Sequence, residues 1–353
     1  MSNFEKIINL DGLIFEYDED KQKEILNFFG IPYDEYKKRI IGKNKEFEFL
    51  LILYLTENFE SILGYDEKIS NLSKEYTSDL IVTPKNEKKF LLEIKHTDKE
   101  SFEISLGNLR KRMEFAKKEG LDLFFAISIK GFWMLFDAKY IEEKKGKIVV
   151  DDAINSKLYE ILKIFSYVFY SKLGYDKGNF KVISVFSKTE KNNLEIMHND
   201  YGKLLSFEFF ADDKEIFKIN FENKEKISLI YILEGIFDKI SNGEQKIYNF
   251  SDKTYIIEKI NAPIFVSEIE FLLSPIEHII GNDYKRYDIP KYTKKLVLGE
   301  ENLKNNITLV HIRNVIDYLV VEGVKISCSK NGTEYCALEL RRWYWRKKWL
   351  RNI

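Results

Sequence analysis

A chain of 353 residues is long enough for two domains, each burying its own core. Hydrophobic residues at 44% and aromatics at 15% exclude extended disorder. The formal net charge of -1 sums 56 Lys and Arg against 57 Asp and Glu, which excludes bulk charge as a source of attraction to a polyanion; only a local cluster supplies it.

The opening "MSNFEKIINLDGLIFEYDED" scatters acids among its apolar residues, unlike the basic start and unbroken apolar segment of an export signal. The apolar run at 49–55, "FLLILYL", is far short of the roughly 20 residues a membrane helix requires. These features predict a cytoplasmic protein with no membrane partner. Residues 21–40 read as one or two short helices broken at Gly30 and Pro32, and "KNKEFEFLLILYLTENF" from Lys43 as a buried helix. Two apolar runs, "YTSDLIVTP" and "KKFLLEIKHT", are separated by the polar turn "KNEK" and predict a pair of strands. "SLGNLRKRMEFAKKEG" places Leu106, Leu109, Met113 and Ala116 at helical spacing, with Lys117 and Lys118 in the last turn and Gly120 as a stop. "DLFFAISIK" and "FWMLFDAKYI" come next as two further strands. Helix, strands, helix and strands in this order predict an α/β unit around a central sheet, flanked by helices.

"DDAINSKLYEILKIFSYVFYSKLG" reads as one long amphipathic helix that connects this unit to the rest of the chain. Beyond Gly174, alternating segments such as "KVISVFSK" and "LLSFEFFADDKEIFKINF", with a helix at "ISLIYILEGIFDKIS", predict a second α+β domain. The last fifty residues read as a helix over 308–322, a hairpin turning at Asn331-Gly332 and a basic helix, an order like that of a winged helix. In that hairpin Cys328 and Cys336 point to opposite faces, so both are expected as reduced thiols. The expected division is an N-terminal helical segment (1–40), an α/β core (41–150), a connecting helix (151–175) and a second domain (176–353).

Within "KKFLLEIKHT", Glu93 and Lys95 interrupt an apolar strand at a spacing of two, which places them on one face. Asp79 starts the preceding strand, 14 residues earlier, and an antiparallel turn brings it toward Glu93. A buried carboxylate must be paired or metal-bound. One reading is a plain cross-strand ion pair; the other is half of a site for a hard cation, with an amine beside it to orient water or stabilise an anionic transition state. The same letters recur as Asp137 before Glu142-Glu143-Lys144, in a polar run that reads as a solvated turn, and as Asp213 before Glu222-Asn223-Lys224, at the frayed end of a predicted strand. His96 falls on the opposite face and reads as a hydrogen-bonded strand-end residue.

Asp79, Glu93 and Lys95 resemble the Asp…Glu-x-Lys signature of the PD-(D/E)xK nuclease superfamily, with Ser78 where the family often has Pro. "RIIGKNKEFEFLLILYL" resembles the first core helix of archaeal Holliday-junction resolvases and related restriction enzymes, whose Gly-x-x-x-Glu step corresponds to Gly42 and Glu46. The resemblance covers residues 42–137 and implies a restriction-endonuclease-like core with a central mixed sheet. It implies phosphodiester hydrolysis with Mg²⁺, for which Mn²⁺ would substitute, held by Asp79, Glu93, the Ile94 carbonyl and Glu46, with Lys95 positioning the attacking water. Members often carry a Gln on the helix after Glu-x-Lys; Asn108 and Arg110 stand nearest here, and Lys130 occupies a position that is often basic. Because such enzymes often cut two strands as dimers, a homodimer fits.

The tail "LRRWYWRKKWLRN" interleaves Arg341, Arg342, Arg346, Lys347 and Lys348 with Trp343 and Trp345 and contains no acid. Cations that neutralise phosphates and indoles that stack on bases suit nucleic acid, whereas packing of a terminal helix is the plainer alternative. The resulting expectation is an endonuclease of restriction, defence or resolvase type acting on DNA in preference to RNA. A ligand-activated RNase or single-strand nuclease, and a binding protein that keeps only the fold, are the competing readings.

Overall fold

The computed structural model describes residues 17–56, 59–64, 78–85, 88–162, 164–174, 176–189, 197–220, 243–269 and 307–328, together with Leu233 and Phe271. The chain divides into two compact units, Met1–Ile164 with Ser267–Ile307, and Phe165–Val266 with Thr308–Ile353.

In the first unit, α1 (Glu19–Phe28) is capped by the Asp18 side chain, which accepts the Lys21 N–H. The chain turns at Gly30, where φ is +68°, and Pro32 leads into α2 (Tyr33–Thr56). One continuous helix therefore covers both the end of the expected N-terminal segment and the expected core helix. Next come β1 (Phe59–Gly64), β2 (Leu80–Pro84) and β3 (Phe90–Thr97), then the short β4 (Ser101–Glu103), α3 (Leu106–Glu119), β5 (Asp122–Ile129) and β6 (Phe132–Asp137). The main sheet has the order β1-β2-β3-β5-β6. Only β3 and β5 are parallel, which requires a crossover, and α3 supplies it. The result is the expected mixed sheet flanked by helices.

Strands buried on both faces read as continuous apolar runs, and β3, β5 and β6 are of this kind. Cross-strand partners share a face. His96, Ser128 and Trp133 are aligned across β3, β5 and β6, and Phe49 of α2 packs against Trp133 with ring centroids 4.8 Å apart. Glu93, Phe125 and Phe136 are aligned on the other face, which α3 covers. α3 begins at Ser105, whose hydroxyl accepts the Asn108 N–H, and ends at Gly120 in the left-handed conformation. Lys130 and Gly131, both at positive φ, form the two-residue turn between β5 and β6.

The expected connecting helix over 151–175 is corrected. After α4 (Ala138–Glu143) and β7 (Lys147–Val149), the chain forms a 3₁₀ turn (Val150–Asn155), a short α5 (Leu158–Leu162) and then β8 (Ser166–Tyr170). All of β8 is buried, and its Ser-Tyr-Val-Phe-Tyr run is rich in aromatic and β-branched residues. Strand partners on both sides override the helical periodicity of this stretch, in a three-stranded sheet β15-β8-β16 formed with β15 (Ile264–Ser267) and β16 (Lys325–Cys328).

The second unit is α+β. β9 (Phe180–Ser187), β10 (Met197–His198), β11 (Gly202–Ala211), β12 (Lys214–Asn220), β13 (Glu244–Phe250) and β14 (Lys253–Ile260) form an antiparallel sheet with β9 between β11 and β14. Within it Phe180 stacks on Phe209 and Phe217 meets Phe209 at a tilt, and α6 (Ile307–Val321) buries Ile312, Val315, Ile316 and Leu319. The helix expected over 227–241 lies outside the described residues apart from Leu233. The Asn331-Gly332 hairpin, Cys336 and the basic C-terminal helix of the winged-helix expectation also lie outside them.

Candidate active site

The ladder between β2 and β3 ends at Leu80 opposite Leu92. One step beyond, side chains replace backbone partners. Ser78 is buried and its hydroxyl donates to the Leu92 carbonyl at 3.0 Å, while the Ile94 N–H donates to Asp79 Oδ2 at 2.6 Å. Asp79 is thus held at the sheet fork by the same strand that carries Glu93 and Lys95. A strand residue's N–H and C=O point to the same side, so the Ile94 carbonyl also faces this fork.

Lys95 Nζ lies 2.9 Å from Asp79 Oδ2 and 2.8 Å from Glu93 Oε2. The three side chains expected to converge therefore do so. Burial alone lowers the Lys95 pKa, but the Asp79 and Glu93 charges outweigh it and the net shift is upward. Lys95 is accordingly a fixed cation. Glu93 is only 1% exposed, in a row with Phe125 and Phe136. Its Oε2 is also 3.1 Å from Arg112 Nε of α3, yet neither cation meets it at hydrogen-bond angles. A buried carboxylate oxygen with cationic neighbours but no aligned donor, beside a second carboxylate and a strand carbonyl, is a donor set that fits a hard divalent ion.

Glu46 is partly buried on α2. Among the described residues, no group of three or more His, Cys, Asp or Glu side chains is placed to hold a metal. The buried acid of α2 is Glu48, which pairs with Lys45 at 2.7 Å on the His96 side of the sheet. The reason is helical geometry: Glu48 lies beside Phe49 and Ile52 on the buried stripe, and Glu46 lies on its other flank.

Three predicted nucleic-acid contacts have other partners. Arg110 Nε donates to Glu142 Oε1 at 2.8 Å, and Lys130, at the β5–β6 turn, pairs with Glu100. Asn108 accepts from Arg112 through its side-chain oxygen. A groove of about 1110 Å³ in this unit is lined by Lys88, Phe90, Arg110, Lys117, Glu142 and Lys157 and contains none of Asp79, Glu93 and Lys95. Of the motif's look-alikes, Asp137 caps α4 and Lys144 pairs with Asp152 at 2.6 Å; in the other, Glu222-Asn223-Lys224 lies outside the described residues. His96 meets Ser128 Oγ at 3.2 Å and Asp98 at 3.0 Å, facing away from Glu93 as expected. Arg341, Arg342, Trp343, Trp345, Arg346, Lys347 and Lys348 lie outside the described residues.

Arg112 is the site residue the motif does not reveal. Its signal is periodicity: it stands three residues after Leu109 and four before Ala116, inside the stripe of α3 that is buried. A charge in such a stripe requires a partner across the interface.

The family model of archaeal Holliday junction resolvases (Hjc) matches residues 38–168. Among solved structures, the chain is similar to Hjc from Archaeoglobus fulgidus, a Holliday junction resolvase from an archaeal hyperthermophile. Identity is 17%, the match covers 31% of this chain and 88% of that chain, and the TM-score is 0.27. No curated protein matches the chain. Asp79, Glu93 and Lys95, brought together at the fork of a mixed sheet, all lie within the stretch 38–168 that matches the archaeal Holliday junction resolvase model.

Proposed function

We propose that this domain is a divalent-metal-dependent endonuclease that hydrolyses phosphodiester bonds in DNA, with branched DNA as the preferred substrate. The observation that carries the reading is the convergence of Asp79 and Glu93 on the single Lys95 ammonium. Asp79, Glu93 and the Ile94 carbonyl would hold Mg²⁺ or Mn²⁺, which supplies Lewis-acid stabilisation of the phosphorane and an activated water.

The chain's own residues do the rest. Held between the Asp79 and Glu93 carboxylates, Lys95 would act as a hydrogen-bond donor and positive charge toward the attacking water and the non-bridging phosphate oxygens. Asp79 fixes the β3 edge through the Ile94 N–H, so the acids and the carbonyl keep one geometry through the reaction. Phe125 beside Glu93, backed by Phe136 on the next strand, keeps water from that side of the carboxylate, which strengthens the charge interactions at the fork. The tail cations Arg341 to Lys348 would add phosphate contacts, and a homodimer would present two such sites to the two strands of a junction.

The test is incubation of the full chain with four-way, duplex and single-stranded DNA and with RNA, each with Mg²⁺ or Mn²⁺. Cleavage of the four-way junction ahead of the other substrates, abolished by EDTA, is the expected result. Faster cleavage of RNA or single strands would overturn the substrate assignment, and cleavage that survives EDTA would overturn the chemistry.

A further inference from the structure

Glu93 has cationic neighbours from two layers of the fold: Lys95 from its own strand at 2.8 Å and Arg112 from α3 at 3.1 Å, both at the same oxygen. Arg112 is 16% exposed, and its guanidinium is held from behind by the Asn108 side-chain oxygen one helical turn earlier. Asn108 is itself tied by its N–H to the Ser105 cap, so the register of α3 aims the guanidinium at the site. The cluster of Asp79, Glu93, Lys95 and Arg112 is formally neutral, two carboxylates against two cations. Without Arg112 it would carry one negative charge and attract a divalent cation more strongly. It would also have one positive charge fewer once the doubly negative phosphorane forms.

We infer that Arg112 is a positioning residue that acts through Glu93: it competes with the divalent ion for Oε2, weakening metal binding while keeping the loaded site electropositive. This rests on the nuclease reading above. A guanidinium that served only to pack α3 would have a different signature, because loosening Glu93 then weakens the metal site or leaves it unchanged. The charge role instead requires tighter metal and slower turnover in the same variant.

The experiment is Mn²⁺ titration by calorimetry on the full chain, with Mn²⁺-induced shifts in melting temperature and junction-cleavage kinetics in parallel. Arg112→Met is expected to bind Mn²⁺ about tenfold more tightly and to show a larger Mn²⁺-induced stabilisation, with kcat lowered about tenfold or more. Arg112→Lys, which keeps the charge, should move both quantities back toward wild type. Should Arg112→Met not fold, Asn108→Ala releases the guanidinium and should shift both quantities in the same directions by less. Wild-type protein that binds no Mn²⁺ overturns the metal-site reading and this inference with it. Wild-type protein that binds Mn²⁺, alongside an Arg112→Met or Asn108→Ala variant that binds equally or less well, overturns the role of Arg112 alone.

Discussion

At the scale of single residues, β3 separates two charged environments by one peptide. Glu93 and Lys95 face α3 and the fork, whereas His96 faces α2. Burial lowers the His96 pKa, Asp98 raises it in part, and Lys45 lowers it further, for a net downward shift. Glu48 and Ser128 complete its surroundings. In the unfolded chain the imidazole titrates near its ordinary value of about 6.5, so the unfolded state binds more protons as pH falls. The contribution of His96 to stability is therefore fully present above that value and is lost as pH drops through the folded one. Replacing His96 with Asn removes this linkage. The melting temperature of wild type minus that of His96→Asn should shrink between about pH 8 and about pH 5; a difference that stays constant would show that His96 does not titrate on unfolding.

At this scale the sequence was legible where the chemistry repeats a pattern and not where it depends on a partner. Asp79, Glu93 and Lys95 were visible because charge in an apolar strand is costly and must be compensated. Glu46 was harder to assign because two acids, Glu46 and Glu48, lie two residues apart on a helix, and a motif does not say which flank of the buried stripe faces the sheet. Asn108 and Arg110 stood nearest the expected polar position on the helix, yet Arg112 is the residue on the stripe that α3 buries. Its partner, Glu93, is 19 residues away along the chain and becomes a neighbour only through the crossover from β3 to β5.

Among elements, α3 links fold to site. It closes the parallel β3–β5 crossover, covers Glu93 and delivers Arg112. Its start depends on the Ser105 hydroxyl, and losing that cap costs about 1 kcal/mol of helix stability. Ser105→Ala is therefore expected to lower unfolding stability by about 1 kcal/mol in urea denaturation. Unchanged stability would show that α3 is held by packing alone. The helix itself was readable because apolar spacing, basic residues in the last turn and a terminal glycine agree. The segment after residue 150 was not, since amphipathic helical spacing and a β-branched, aromatic composition compete there. The tie is settled by β15 and β16, which lie about a hundred residues or more further along the chain.

On the scale of the whole molecule, a net charge of -1 gives little long-range pull on any polyanion, so the proposed DNA substrate would have to be held by local cations and, at the chemistry, by the fork itself. The matched domain spans residues 38–168, and the second unit adds an antiparallel sheet whose alternation of buried and exposed residues was legible strand by strand, most clearly in β11. Its strand order was not, because β9 pairs with both β11 and β14 across long intervening segments. The account depends on the fork being a metal-dependent phosphodiesterase site. The most direct measurement is single-turnover cleavage of a labelled four-way DNA junction in Mg²⁺ by wild type, Glu93→Gln and Lys95→Ala, each checked for folding by circular dichroism. The account predicts cleavage by wild type and a loss of at least about a hundredfold in both folded variants. Cleavage at the wild-type rate by either variant would contradict it.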